Sequence, residues 1–362
     1  MAAGLVLPTV GRATTYKTVK RGLAGMVAAK GGPPGAIATL YRDGQETVLS
    51  VGRADVRRPG RPLATDHMRI ASVAKAFSAA VALHLVAEGE LSLNDTIGKW
   101  LPTLPPAWAA VTVRELLNHT SGLPDYTRSE GFKKQIGTDP QGFVSPATII
   151  DWVRGDGLEF LPGTRYEYSN TDNIVVGLIA QVAAGEPYGT LLSQIVFGPA
   201  GLTQTSFPST LALPNPFIHG YVVSPSAPPD AVSMFLSPSG AWASGAIIST
   251  PGELGRFIRN DLGLTFFGAA QQRQQLRFVP GESSPAGPGT NSAGLGIFRY
   301  RTRCGTVFGH TGSFPGYTQW VAATRDGSRS VTTTLNMSQP DAALLAHLRA
   351  VQTTAICALL GR

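Results

Sequence analysis

Strand-like segments occur at the two ends of this 362-residue chain, and a long helix-rich stretch separates them. Near the N-terminus, AIATLYRDGQETVLSVGRADV predicts a β-hairpin that turns at Asp43 and Gly44. Near the C-terminus, YTQWVAATRDGSRSVTTTLNM contains a similar Asp-Gly turn at 326 and 327. The simplest fold is therefore α+β: one antiparallel sheet built from the first and last thirds, flanked by terminal helices and packed against an all-helical lobe.

Helical periodicity sets the expected boundaries of the two lobes. The sheet lobe is predicted from residues 1–65 and 236–362, the helical lobe from 66–235, and together they form one catalytic unit with a cleft between them. The segment SVAKAFSAAVALHLVAEG predicts a long apolar helix that ends at Gly89. Other predicted helices are 14–30, 112–118, 146–154, 171–184, one that begins at Thr250 and Pro251, and 341–360.

Composition excludes several classes of protein. The chain is 43% hydrophobic and 15% charged, which is typical of a folded globular protein. Its net charge of +7 comes from scattered basic residues without interleaved aromatics, so we expect no nucleic-acid partner. No apolar run approaches the roughly 20 residues of a membrane span, and MAAGLVLPTV lacks the features of a signal peptide, so no transmembrane segment is expected. Six histidines without ligand spacing and two cysteines predict neither a metal nor a cofactor.

Ser72 and Lys75 are the first candidates for chemistry, because residues three apart share one face of a helix. A serine hydroxyl is a weak nucleophile, and a buried lysine with a lowered pKa can serve as its base. An isolated S-x-x-K pair is common on helix surfaces and proves little. Two further polar segments follow it in order: YEYSNTDN, which contains Tyr168 and Asn170, and GHTGSFPGY, which contains His310.

The three segments together resemble the signature of the serine penicillin-recognising enzymes, which is S-x-x-K, S-D-N and K-T-G. The version found here, with Tyr168-Ser169-Asn170 and His310-Thr311-Gly312, is similar to class C β-lactamases and most of all to actinomycete DD-carboxypeptidases, with family VIII esterases as close relatives. The stretches VRELLNHTSGLPDYT, PGTRYEYSN and GAIISTPGEL add to the resemblance, which runs from about residue 16 to the C-terminus.

The resemblance implies a role for each motif residue. Ser72 attacks the substrate carbonyl, Lys75 removes its proton, and Tyr168 exchanges protons with the leaving group and the deacylating nucleophile. Asn170 binds the substrate amide and holds Lys75. His310 either tunes Tyr168 electrostatically or donates a hydrogen bond, since an unperturbed histidine titrates at about 6.5.

Other side chains are expected to bind substrate. The resemblance places the oxyanion hole at the backbone N–H groups of Ser72 and of Ser313 or its near neighbour. Thr311 and Ser313 are expected to donate to a substrate carbonyl or carboxylate, and Gly312 to let the substrate backbone approach the strand. Phe132 and Trp242 are expected to wall the cleft, with ordinary core packing as the alternative. His119 is expected to brace a turn rather than react.

The resemblance also pairs Cys304 with Cys357 in a disulfide. Residues and spacing alone leave a bridge and two buried thiols equally open. A disulfide favours an oxidising compartment, so we expect a secreted or cell-envelope protein, with a cytoplasmic location as the alternative. The chain is expected to be a monomer that acts on a small-molecule or peptide acyl substrate.

Substrate preference is less clear, because GLGIFRYR places Phe298 where the resemblance calls for an arginine that binds a terminal carboxylate. Arg299 comes one step later and should face the other side of the strand, although a bulge or Arg301 would compensate. Three hypotheses follow: a peptidase or amidase of the DD-peptidase type, an esterase or transacylase, and a catalytically silent penicillin-binding sensor. Fast β-lactam hydrolysis is not expected, because neither Glu159 nor Glu167 lies in a class A pattern.

Overall fold

The computed structural model describes residues 9–208, 210–338 and 340–362, with side chains from residue 14 onward. The strands in these ranges are β1 (Gly35–Arg42), β2 (Gln45–Gly52), β3 (Met68–Arg69), β4 (Tyr221–Ser224), β5 (Ala227–Ala231), β6 (Ile248–Ser249), β7 (Val279–Pro280), β8 (Thr290–Ala293), β9 (Phe298–Thr302), β10 (Gly305–Phe314), β11 (Tyr317–Ala323) and β12 (Ser330–Leu335). Eight of them form one antiparallel sheet in the order β2-β1-β12-β11-β10-β9-β8-β7. The predicted α+β fold is confirmed.

The α-helices are α1 (Thr9–Ala28), α2 (Ala74–Glu88), α3 (Ile97–Trp100), α4 (Val113–Leu117), α5 (Glu130–Thr138), α6 (Pro146–Asp151), α7 (Asn170–Ala184), α8 (Tyr188–Leu191), α9 (Trp242–Gly245), α10 (Pro251–Leu262), α11 (Ala269–Gln275) and α12 (Ala342–Leu360). Several ends follow local chemistry that the sequence predicts. Gly89 terminates α2 in the left-handed conformation at φ 79°, and the Thr250 hydroxyl accepts from Glu253 N at 3.2 Å to begin α10.

The two ends of the chain meet inside the sheet. Strand β1 pairs with β12, for example Ile37 opposite Thr334, so the N-terminal hairpin and the C-terminal strands share one hydrogen-bonded layer. Helices α1 and α12 pack on each other and on one face of this sheet, while α10 packs against β11 and β12. The sheet face covered by α1 and α12 contributes a buried hydrophobic cluster that includes Trp320. Helices α2 and α7 belong to a second hydrophobic cluster.

A disulfide joins the turn between β9 and β10 to α12. The bridge links Cys304 to Cys357, so the predicted pairing is confirmed. It closes a 53-residue separation, and the chain-entropy model gives a stabilisation of about 4 kcal/mol for a loop of that size.

Two features differ from the sequence-based expectation. The 66–235 stretch is not purely helical, because it contains the β4–β5 hairpin; Pro228 and Pro229 lie in β5, and proline obscures a strand pattern while remaining compatible with an edge strand. By length and composition, Ala71–Glu88 and Ala342–Leu360 also qualify as candidate membrane spans, although 72% and 50% of those windows are buried within the fold. The exact division of the chain at residues 65 and 236 stays a prediction.

Candidate active site

Ser72 lies in a 3₁₀ turn, Ala71–Val73, that runs directly into α2. Ala71 has φ 53°, a left-handed conformation that is uncommon for a residue other than glycine. Residues three apart on continuous helical turns share one face, so the Ser72 and Lys75 side chains lie side by side. The candidate nucleophile therefore stands at the N-terminal end of the 15-residue helix α2, directly after a residue in a strained backbone conformation.

Lys75 is fully buried and makes three hydrogen bonds through its ammonium nitrogen. Nζ lies 2.8 Å from Asn170 Oδ1, 2.8 Å from the Ser244 carbonyl oxygen and 3.1 Å from Ser72 Oγ. Burial lowers the pKa of Lys75 to about 7, although the carboxylates of Asp125 and Asp172 act in the opposite direction. A large fraction of the lysine is therefore neutral near pH 7.

Asn170 is fixed in one orientation by its other partner. Its Nδ2 donates to the two Asp125 carboxylate oxygens at 3.0 and 3.3 Å, so Oδ1 is the atom that faces Lys75. Asp125 is held in turn because it accepts from the backbone N–H of Thr127 at 3.0 Å. The chain Asp125, Asn170, Lys75 thus orients the base through successive hydrogen bonds.

Tyr168 completes the polar cluster around the serine. Lys75 Nζ is 5.1 Å from the centre of the Tyr168 ring, and the buried hydroxyl has no hydrogen-bond partner within the described part of the chain. Burial raises the pKa of Tyr168 well above its ordinary value, while the neighbouring Ser72 hydroxyl lowers it by less. The phenol therefore carries its proton at neutral pH.

His310 is buried on β10, and its ring is neutral. Nδ1 lies 2.5 Å from the Thr311 carbonyl oxygen, which can only accept, so Nδ1 carries the proton. Burial lowers the pKa of His310 to about 3. Of the two predicted roles, electrostatic tuning by a positive charge is therefore not available at neutral pH. Nε2 is a buried acceptor without a partner in the described residues.

Phe298 packs behind this histidine instead of lining the cavity at Ser72. Its ring is 2% exposed and stands edge-on to His310 with centroids 5.0 Å apart. Arg299 faces away, as strand alternation predicts: its guanidinium lies over Phe278 at 4.7 Å and donates to the Ser292 hydroxyl at 3.0 Å. Neither residue reaches the position of a carboxylate-binding arginine, and Arg301 is exposed on β9.

His119 braces this region through a buried pair with Asp172. Its Nδ1 is 2.7 Å from Asp172 Oδ2, and its ring centre is 4.4 Å from that of Tyr168. Burial lowers the pKa of His119 to about 3, so its ring is neutral at pH 7, and burial raises the pKa of Asp172 well above its usual range. Ser121 donates to the second oxygen of Asp172 at 2.5 Å. His119 is thus held by Asp172 and packs against the Tyr168 ring.

A cavity of about 150 Å³ opens at Ser72. Phe132 and Ser313 line it, together with Asn170 and Tyr126. Trp242 lies behind this wall, where its ring packs against Tyr188 and Phe207 at centroid distances of 5.2 and 6.4 Å. The Thr311 hydroxyl donates to the Pro285 carbonyl oxygen at 2.7 Å, so it is engaged within the protein.

Gly312 lies against the turn that carries Ser72, and its expected role toward the substrate backbone stays a prediction. A Cβ at this position would lie 2.6 Å from the Ile70 carbonyl oxygen, 3.0 Å from Ala71 Cβ and 3.1 Å from Ser72 N. The missing side chain therefore allows β10 to pack directly on the turn that carries the nucleophile. The two segments that approach closely are β10 and the turn at Ser72.

Three contributors escaped sequence reasoning: Asp125, Tyr126 and Ser244. Tyr126 donates to the Gly240 carbonyl oxygen at 2.9 Å and lies 3.3 Å from Ser244 Oγ, which positions helix α9, whose Ser244 carbonyl holds Lys75. Asp125 and Tyr126 stand in GLPDYT, beside the motif residues, but no periodicity assigns them a partner 45 or more residues away. A backbone carbonyl such as that of Ser244 leaves no signal in a sequence. Within the described ranges, no group of three or more His, Cys, Asp or Glu side chains is arranged to hold a metal ion.

A serine beside a buried, partly neutral lysine, with a tyrosine hydroxyl near both, defines the class of protein as a serine hydrolase. The Beta-lactamase family model matches residues 17–354, and the chain belongs to that family. Penicillin-binding protein 4* of Bacillus subtilis is 28% identical over 71% of this chain and 58% of its own length. Esterase EstB of Burkholderia gladioli is 33% identical over 48% of this chain and 47% of its own length.

Similarity to solved structures extends over nearly the whole chain. A D-stereospecific amidohydrolase from a Streptomyces species is 28% identical, with a TM-score of 0.81 over 92% of this chain and 98% of that one. This chain thus spans about half of the curated relatives' length and almost all of the solved amidohydrolase.

Proposed function

We propose that this chain is an amidohydrolase that cleaves peptides and amides containing D-amino acids through an acyl-enzyme on Ser72. The observation that carries the proposal is the hydrogen-bond arrangement of Lys75, described above. The similarity of this chain to an enzyme described as a D-stereospecific amidohydrolase supports the choice of substrate class. The intact catalytic set argues against a silent penicillin-binding sensor.

Lys75 is arranged to act as the general base for Ser72. Two of its three partners, Asn170 Oδ1 and the Ser244 carbonyl oxygen, can only accept hydrogen bonds. A neutral amine keeps two N–H bonds for these acceptors, and its lone pair then faces the third partner, the hydroxyl of Ser72. Ser72 Oγ attacks the substrate carbonyl carbon while its proton passes to Lys75 Nζ.

The oxyanion formed by this attack needs donors on the other side of the carbonyl. The backbone N–H groups of Ser72 and Ser313 are our candidates, because both residues line the cavity and Ser72 also begins a helix. When the C–N bond breaks, the protonated Tyr168 hydroxyl gives its proton to the leaving amine nitrogen. The ammonium of Lys75 then restores the proton on Tyr168.

Deacylation repeats these steps with water. Water loses a proton to the polar cluster as its oxygen bonds to the acyl carbon, and Ser72 Oγ regains a proton as the ester bond breaks. The products are a carboxylic acid and free Ser72. Neutral His310 and neutral His119 add no positive charge of their own beside Tyr168, which helps to keep its phenol protonated between these steps.

Phe298 points to substrates without a free terminal carboxylate. An arginine at that place would supply a charge-assisted contact, which is worth about ten- to hundredfold in binding. Here the place is occupied by a buried ring, and Arg299 is engaged with Phe278 and Ser292. The same observation favours a second candidate, an esterase or transacylase, and the similarity to Esterase EstB agrees with it.

One substrate series separates the candidates. We would measure kcat/KM for a D-Ala-D-Ala peptide, its C-terminal amide and a p-nitrophenyl ester, in the wild type and in Ser72→Ala. The amidohydrolase proposal expects Ser72-dependent cleavage of the C-terminal amide at least as fast as that of the free acid. Rapid ester turnover without cleavage of either peptide would establish the esterase or transacylase. A strong preference for the free carboxylate would support a DD-carboxypeptidase.

We propose an exported, envelope or secreted location, supported by the Cys304–Cys357 disulfide. Detecting the intact bridge by non-reducing peptide mapping of the protein from its native cells would test this. The expectation that the chain acts as a monomer stays a prediction, for which sedimentation of the purified protein is the test.

A further inference from the structure

A second cavity, of about 450 Å³, adjoins the one at Ser72. The two cavities share three consecutive residues in their walls, Ser313, Phe314 and Pro315. Ser313 also belongs to our candidate oxyanion hole, so a molecule acylating Ser72 lies beside this shared wall. Across two residues an extended chain spans about 7 Å. The second cavity is therefore within reach of one or two residues of an extended acyl donor.

The wall of the second cavity is largely apolar. Val222 and Phe235 are 46% and 44% exposed, which is high for large hydrophobic side chains, and Val232 lies between them in the chain. Exposed apolar groups grouped around a concave surface are typical of ligand sites. The cavity therefore favours a ligand with an aliphatic or aromatic part.

Asp230 is the charged residue in this lining. Among the described residues it has no ion-pair or hydrogen-bond partner, unlike Glu167, which pairs with Arg128 at 3.0 Å and Arg165 at 2.8 Å. Arg69 lies behind the shared wall, 5.6 Å from the Phe314 ring centre, but it is 1% exposed and donates to backbone carbonyls. An unpaired carboxylate at the edge of an apolar cavity is suited to an ammonium group.

The cavity is formed before any ligand arrives, because the β4–β5 hairpin is fixed at its base. The Tyr221 hydroxyl donates to Asp55 at 3.2 Å, and Gly316 N donates to Ser338 Oγ at 2.6 Å. Gly220 and Gly316 pack so closely that a Cβ on Gly316 would lie 2.6 Å from Gly220 Cα. These contacts hold the hairpin against the β10–β11 turn, so little ordering is needed on binding.

We propose that this cavity binds the amino-terminal part of the acyl donor, with the donor's ammonium paired to Asp230 and its apolar side chain against Phe235. The inference rests on the proposed function, because it names the substrate class for the same reactive serine: short peptide donors with a free amino terminus. Phe235 adds an aromatic face that also favours a cation.

The test compares two donors that differ at the amino terminus, glycyl-D-alanine p-nitroanilide with a free ammonium group and its uncharged N-acetyl derivative. In the wild type, kcat/KM should be higher for the free amine, mainly through a lower KM. Because Asp230 is exposed, Asp230→Asn should reduce the ratio of the two kcat/KM values about two- to fivefold. Asp230→Lys should reverse the preference and favour the N-succinyl derivative. The matched control is Glu186→Gln, an exposed carboxylate after α7 that lines neither cavity, which should keep the wild-type ratio.

A separate readout keeps this inference distinct from the proposed function. Phenethylamine should inhibit Ser72-dependent hydrolysis of p-nitrophenyl acetate competitively, with an inhibition constant about two- to fivefold weaker in Asp230→Asn. If neither p-nitroanilide is cleaved but this difference in inhibition remains, the amidohydrolase proposal fails and the ammonium site stands. The proposed ammonium site would be overturned if Asp230→Asn changed neither the ratio of the two kcat/KM values nor the inhibition constant of phenethylamine.

Discussion

The two halves of the polar cluster around Ser72 differ in how their polar atoms are paired. On one half, Lys75 Nζ, Asn170 and Asp125 form a continuous hydrogen-bond chain that fixes the base. On the other half, the Tyr168 hydroxyl and His310 Nε2 are buried and have no partner among the described residues. We call these the lysine half and the tyrosine half.

This difference assigns the two halves separate tasks. A buried polar atom without a partner costs about 1–3 kcal/mol, so it persists where a ligand or a changing proton position uses it. The lysine half is complete before substrate binds and sets the protonation state of the base. The tyrosine half offers a phenolic donor and an imidazole acceptor to the leaving group or to water.

Removing the base from the lysine half should have the largest effect on the acylation rate. Lys75→Met keeps most of the buried volume but removes the amine, so the acylation rate should fall about 100- to 10,000-fold. Stopped-flow release of p-nitrophenol from p-nitrophenyl acetate measures that rate. The control is Lys99→Met, an exposed lysine paired with Asp95, which should acylate at the wild-type rate. Wild-type acylation in Lys75→Met would remove the lysine half from the mechanism.

Removing the proton donor should separate amides from activated esters. Tyr168→Phe retains the ring against His119, and its amide kcat/KM should fall about 100-fold because the leaving amine needs a proton. A p-nitrophenolate leaving group does not need that proton, so the ester should lose less than tenfold. Tyr166→Phe, which removes a hydroxyl that donates to the Glu282 carbonyl, is the matched control. Equal losses for both substrates would contradict the role of the tyrosine half.

Changing the neutral histidine should have a smaller effect. His310→Phe keeps a ring but removes the uncharged acceptor, so the rate should fall about tenfold or less. Because burial lowers the pKa of His310 to about 3, its titration should leave no trace in a profile between pH 5 and 8. Comparing kcat/KM against pH in wild type and variant checks both points. The loss of a limb near pH 6.5 in the variant would show that His310 titrates there.

The smallest effect should be a shift in the pH midpoint. Catalysis needs neutral Lys75, whose pKa is about 7, so kcat/KM should rise with pH, half-maximally near pH 7, and fall about tenfold per pH unit below it. The Asp125 carboxylate raises that pKa, so Asp125→Asn should move the midpoint to lower pH. Asp151→Asn, an exposed residue at the C-terminal end of α6, serves as the control. An upward shift in Asp125→Asn would contradict this electrostatic account.

Local signals in the sequence predicted most of the secondary structure but not all of it. Hairpins around Asp-Gly turns, the end of α2 at Gly89 and the cap at Thr250 follow from local chemistry, and these elements are present as predicted. The β4–β5 hairpin was not predicted, because the prolines in β5 interrupt the residue pattern that is typical of a strand. These local signals therefore specified the sheet and the long helices more fully than the walls of the site.

Within the site, what could not be predicted depends on tertiary packing. Nothing local shows that Trp242 turns toward Tyr188, or that Gly312 is needed for the approach of the Ser72 turn. The charge state of His310 was open for the same reason, since burial decides it. Motifs located the reactive groups, and the fold decided their protonation and their partners.

The central claim is that Ser72, activated by Lys75, becomes acylated by an amide donor. Benzylpenicillin tests it most directly, because its leaving amine stays tethered to the acyl group and cannot diffuse away. We would follow intact mass over time and map the modified peptide, with Ser72→Ala and Lys75→Met in parallel. The account predicts one penicilloyl group on Ser72 in the wild type, none in Ser72→Ala and much slower formation in Lys75→Met. No adduct in the wild type, or an adduct that persists in Ser72→Ala, would contradict it.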